Sequence, residues 1–156
     1  MSQFWSFEGI GLKVSELYPY LDAKKVVNFL HKELPDDEEI DEIVKTGRYD
    51  RMNLDPNVCV DGKLDIEDYV RGVYNGLADM FTMCDDTDVL TYSSDDEGGE
   101  YMFYPPSMPW QMTDTEPKSL TEVHIRIINA VQKLTNMTVA EIEELIDDDL
   151  QVVCYQ

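Results

Sequence analysis

The sequence predicts an α+β fold: a helical N-terminal half and a small, mostly antiparallel sheet flanked by helices. The sheet is expected to consist of a hairpin over 88–104 and a C-terminal strand. Three observations carry this reading. Ile66, Tyr69, Val70, Val73, Tyr74, Leu77, Met80 and Phe81 recur at three- and four-residue steps, the period of a helix with one buried face. Val89–Tyr92 and Tyr101–Tyr104 are short β-branched and aromatic runs separated by Ser94-Asp-Asp-Glu-Gly-Gly99, a turn composition. Leu150–Tyr155 is a third such run, able to join the hairpin. The 156 residues fit one domain, divisible at most into a helical subdomain 1–84 and an α+β subdomain 85–156.

The elements follow in order. Residues 4–21, which mix aromatics with Gly9 and Gly11, read as a short extended piece and then a helical turn opened by Ser15. Asp22 caps a helix through Leu34 that buries Val26, Val27, Phe29 and Leu30, and Pro35 ends it. A second helix starts after Asp36 or Asp37, runs to Lys45 and stops at Gly47. Residues 48–64 are irregular, with a hairpin turn at Asp61-Gly62. Asp65 caps the longest helix, to about Met83, taken as the centre of the core. Pro105, Pro106 and Pro109 enforce a loop that lays Trp110 over that core. Ser119–Glu122 and Thr138–Glu141 have the form of capping boxes, for helices to Leu134 and to about Ile146.

Charge excludes more than it specifies. The chain has 33 Asp and Glu against 12 Lys and Arg, a formal net charge of -21. Between Arg71 and Lys118 stand ten acids and no base. Such a surface repels phosphate, so direct nucleic-acid binding is not expected, nor is binding to an anionic membrane. The apolar fraction of 43% is too high for a disordered acidic tail. Cys59, Cys84 and Cys154 form no paired spacing, as in reduced thiols of a cytosolic protein. The N-terminus carries no secretory signal pattern, and no apolar run is long enough to span a bilayer.

Carboxylates gather at four places. Asp36, Asp37, Glu38, Glu39, Asp41 and Glu42 form one cluster. Asp85, Asp86 and Asp88 follow the predicted long helix. Asp95, Asp96, Glu97 and Glu100 surround the hairpin turn, and 141–149 holds six more. Carboxylates at i, i+3 and i+4 of a helix stand about 5–6 Å apart, a spacing that imitates a row of phosphates. The sets 85–88 and 95–100 are the first choice for facing a partner, because no base is interspersed; 36–42 is the second. The Tyr101–Trp110 stretch adds aromatics and Met of the kind that fill interface centres.

The loop 57–68 resembles the second half of an EF-hand or dockerin calcium loop, with Asp61-Gly62 at positions five and six and Asp68 at twelve. Cys59 stands where a hard cation wants oxygen, so no metal ligand is assigned and a hairpin turn is the simpler reading. His31 and His124 have no nucleophile motif beside them, and no catalytic residue or cofactor is singled out. The chain reads as a non-enzyme.

By charge and size across its whole length, and by no specific motif, the chain resembles the small acidic DNA-mimic inhibitors of phages and other mobile elements, many anti-CRISPR proteins among them. That resemblance implies a stoichiometric inhibitor in a bacterial host's cytoplasm, occupying the basic channel of a nucleic-acid-binding protein such as an RNA-guided CRISPR nuclease. An immunity or antitoxin-type protein neutralising a basic toxin would share the physics. A divalent-cation module built on 57–68 is the other alternative.

Overall fold

A computed structural model describes residues 4–105 and 117–155. The fold is α+β: helices around a four-stranded antiparallel sheet of order β4-β5-β1-β6. The strands are β1 (Phe4–Lys13), β4 (Thr91–Ser94), β5 (Glu100–Tyr104) and β6 (Asp147–Tyr155). The N-terminal half is therefore not simply helical. Its first ten described residues form a long strand between β5 and β6, and β6 pairs with β1 rather than with the hairpin.

Two glycines explain the placement of β1. A Cβ on Gly11 would sit 2.2 Å from the Met102 carbonyl oxygen, and one on Gly9 the same distance from that of Tyr104. Only a bare backbone fits there. The register between β1 and β6 shifts between Gly9 and Gly11, and such a bulge bends a strand. Phe7 stacks on Phe103 at 5.1 Å between ring centres and meets Tyr101 edge-on at 5.4 Å. On the alternate face, Leu12 and the paired Met102 point into the main core.

The local helix signals act as read. Helix α1 (Ala23–Glu33) is capped by Asp22, whose carboxylate accepts from the Lys25 N–H; Val26, Val27 and Leu30 are fully buried and Phe29 partly so. Helix α2 (Glu38–Thr46) is capped by Asp37 and ends at Gly47 with φ 69°. Helix α5 (Leu120–Gln132) takes Ser119 as its cap, but Glu122 reaches back to the Lys118 N–H. Helix α6 (Val139–Leu145) has both halves of the Thr138–Glu141 box. The start of α1 is tied to the end of α5: Lys25 donates to the Gln132 and Thr135 carbonyls at 3.0 and 2.7 Å. A cation there meets the negative end of the α5 dipole.

Two expectations are corrected. The predicted long helix from 66 to 83 is two, α3 (Ile66–Val73) and α4 (Leu77–Thr82), broken at Gly76 with φ 133°. The Asp79 carboxylate accepts from the Asn75 backbone N–H, and the Glu100 side chain fills the space where a Cβ on Gly76 would stand. Among the described residues the longest helix is α5. The buried positions Ile66, Val70, Leu77, Met80 and Phe81 still form the core, while Val73 is exposed. In the second correction, Asp61-Gly62 turns the chain but closes no antiparallel hairpin. Strands β2 (Met52–Asn53) and β3 (Leu64–Asp65) pair in parallel. The Asn53 amide sets this geometry, donating to the Asp55 and Val58 carbonyls and to Asp65. Asp65 precedes α3 but spends its carboxylate on Asn53 and Cys59 rather than on a cap. The expected position of Trp110 lies outside the described residues.

Candidate functional site

The acidic positions divide by what their oxygens do. In the 85–88 set, Asp85 turns inward. Its carboxylate accepts from the backbone N–H groups of Thr87, Val89 and Leu90 at 3.1, 2.9 and 3.0 Å and from the Thr87 hydroxyl at 2.5 Å, pinning the loop into β4. Asp86 meets Lys133 at 2.6 Å, which holds it below the usual carboxylate range. Asp88 is exposed, with φ 55°.

At the hairpin tip, Asp95 accepts from the Glu97 and Gly99 N–H groups at 2.9 and 2.7 Å and from the Tyr101 hydroxyl at 3.0 Å. Burial opposes its charge, but these bonds keep it ionised below the ordinary range. Asp96 and Glu97 are exposed. Glu100 is half-buried beside α4, where it accepts from the Ala78 N–H at 3.3 Å, and burial raises its pKa.

In the 36–42 set, Asp37 caps α2 and also accepts from the Tyr69 hydroxyl. Asp41 lies between Lys45 at 2.7 Å and His31 at 3.1 Å, which together lower its pKa. Asp36, Glu38, Glu39 and Glu42 are exposed. Positions 38 and 42 are one helical turn apart, so their carboxylates share a face.

The sequence reading had no signal for the arrangement around His124. Both of its ring nitrogens meet carboxylates, Nδ1 to Glu143 at 2.9 Å and Nε2 to Asp148 at 2.5 Å. A carboxylate accepts and does not donate, so the doubly protonated, cationic form of the ring is the one that satisfies both contacts. Burial works against that charge, yet the two bonds raise the pKa above 6.5. One imidazolium thereby joins α5, α6 and β6.

The 57–68 loop gathers Asp55, Asn57, Cys59, Asp65, Glu67 and Asp68 around a cavity of about 170 Å³. Among the described residues, no group of three or more His, Cys, Asp or Glu is placed to hold a metal ion. Of the aromatic stretch 101–110, Met102 and Phe103 are buried in β5, and residues beyond Pro105 lie outside the description. Among the described residues no helix is long and apolar enough to cross a membrane. No protein-family profile, curated protein or solved structure matches this chain.

Proposed function

We propose that the protein is a stoichiometric inhibitor that presents carboxylates in place of nucleic-acid phosphates and occupies the basic channel of a nucleic-acid enzyme, an RNA-guided CRISPR nuclease being the target class that fits best. The observation that carries this reading is the charge balance. With 12 Lys and Arg and two His, at least 19 of the 33 carboxylates have no cation of their own. Self-repulsion on this scale destabilises a compact chain, and a cationic partner relieves it.

The partner-facing residues are the acids whose oxygens the fold does not use. Glu38, Glu39 and Glu42 are exposed on α2, with Asp36 exposed just before it and Asp88 and Glu97 exposed elsewhere. Paired with Arg and Lys of the target, they would act as phosphates do, with bidentate Arg contacts supplying specificity. Asp37, Asp85 and Asp95 support the surface from behind, because their carboxylates fix the α2 start and two loops.

The test is competition. The protein is titrated into complexes of fluorescent DNA with a panel of RNA-guided nucleases and other basic DNA enzymes. The expected result is stoichiometric displacement of DNA from at least one target, with no direct DNA binding. Charge reversal of Glu38, Glu39 and Glu42 to Lys should weaken displacement while leaving the fold intact. Displacement from no member of the panel, or a gel shift of DNA by the protein alone, would reject the proposal.

A further inference from the structure

We infer that the groove between the 14–20 segment and the 54–57 loop seats an extended basic segment of the partner, with an arginine side chain set against Glu100. This rests on the inhibitor reading and names one contact of it.

Two adjoining cavities, of about 650 and 510 Å³, share Ser15, Tyr18, Pro56 and Asn57 and so form one continuous groove. The first half has apolar walls from Pro19, Leu21, Leu54 and Pro56, suited to the aliphatic parts of a peptide. The second half is polar and runs past Asn75 to Glu100. Along its whole length the groove is lined by four carboxylates, Glu16, Asp55, Glu67 and Glu100, and by one cation, Arg71. Arg71 is already held by Glu67 at 2.5 Å. An anionic ligand is therefore repelled, and a cationic one attracted.

Glu100 is the focus because, of the two half-buried carboxylates, Glu67 is already paired with Arg71. Its hydrogen bond from the Ala78 N–H engages Oε1. A carboxylate that has lost part of its hydration gains more from a cation in contact than an exposed one does. Tyr18 lines both cavities beside it. A guanidinium suits this place better than an ammonium: its planar fork matches a carboxylate, and its face stacks on an aromatic ring.

The test uses the full chain, labelled with nitrogen-15, and two blocked heptapeptides. Both have Pro on each side of the central residue and Ala elsewhere; one carries a central Arg and the other a central citrulline. The Arg peptide should shift amide signals within 15–21, 54–58, 67–76 and 94–100, and bind about ten-fold tighter than the citrulline peptide, the size of one charge-assisted contact. Glu100→Gln keeps an acceptor for Ala78 and should remove that preference. Asn57→Trp, at an exposed loop position, should block the groove without touching the core. Shifts that map to α2 or to the hairpin tip, or equal affinity for both peptides, overturn the inference. Peptide binding here by a chain that displaces DNA from nothing keeps the groove and rejects the inhibitor. DNA displacement undiminished in both variants rejects the groove and keeps the inhibitor.

Discussion

Replacing His124 by Gln tests the reading that a single imidazolium joins three elements. The His124 side chain is 15% exposed, while those of its partners Glu143 and Asp148 are 44% and 52% exposed. A hydrogen bond to a charged group contributes about 1.5–3 kcal/mol when sheltered, and about 0.2–1 kcal/mol for an ion pair at the surface. The partners stand between these limits but nearer the second, so the two bonds together amount to about 1–2 kcal/mol. For a chain of this size each kcal/mol moves the melting temperature by about 2–4 °C. His124→Gln should therefore lower it by about 5 °C at pH 6. Gln can still donate one bond, but it leaves two carboxylates without their cation.

The pH dependence has a definite sign. The folded-state pKa of His124 lies above its ordinary 6.5. Its contribution is thus complete below about pH 6.5 and is lost as pH rises through the folded value. Melting of wild type and variant by circular dichroism from pH 6 to 9.5 should show the gap closing toward high pH. An NMR titration of the His124 Cε1 proton should give a midpoint above 6.5. A gap that stays constant across the range, or a midpoint at or below 6.5, refutes the cationic bridge.

Three further outcomes are expected. Gly11→Ala forces a Cβ to 2.2 Å from the Met102 carbonyl and should destabilise by about 3 kcal/mol, read as a lower urea midpoint; a change under 1 kcal/mol would show that β1 can shift away. Asp85→Ala removes the acceptor for the Val89 and Leu90 N–H groups and should cost about 2 kcal/mol, while Asp88→Asn, at an exposed position, should leave the melting temperature within about 1 °C. Raising sodium chloride should increase the melting temperature by screening self-repulsion and weaken binding to a basic partner by screening attraction over about 8–10 Å, so slopes of the same sign reject phosphate mimicry.

Short-range chemistry made much of the helical structure legible. Asp22, Asp37 and Thr138 cap the helices that follow them because a side-chain oxygen two or three residues from an orphan N–H needs nothing further away. Gly47 ends α2 for an equally local reason. The break at Gly76 was hidden because the apolar period runs through it, and its conformation accompanies a Glu100 side chain arriving from β5. Gly9 and Gly11 carry no such local signal, yet they let β1 approach the β5 carbonyls. That role depends on partners more than 90 residues later in the sequence. The same limit governs the site. Composition located the acidic clusters, but not which oxygens the fold uses. Nothing near Asp85 in sequence separates it from Asp88, and nothing near His124 announces two carboxylates about 20 residues on.

The acids that hold the fold together are satisfied mostly by N–H groups rather than by Lys or Arg, and this bears on how so negative a chain stays folded. Asp37, Glu38, Glu39 and Asp41 lie at the start of α2, where the helix dipole favours negative charge. Asp85 and Asp95 are solvated by backbone amides of their own loops. Apart from Asp41, which Lys45 and His31 hold, these acids consume no basic side chain, and the outer oxygens of Glu38, Glu39 and Glu42 stay uncovered. The segment 147–149 is different: it lies in a strand, which has no comparable dipole, and His124 neutralises Asp148 alone among its three carboxylates. Helix-borne acids can thus remain uncompensated at little cost to the free protein while staying open to a cationic surface. For this reason α2, rather than the more charged C-terminal run, is the stronger choice for a phosphate-like row.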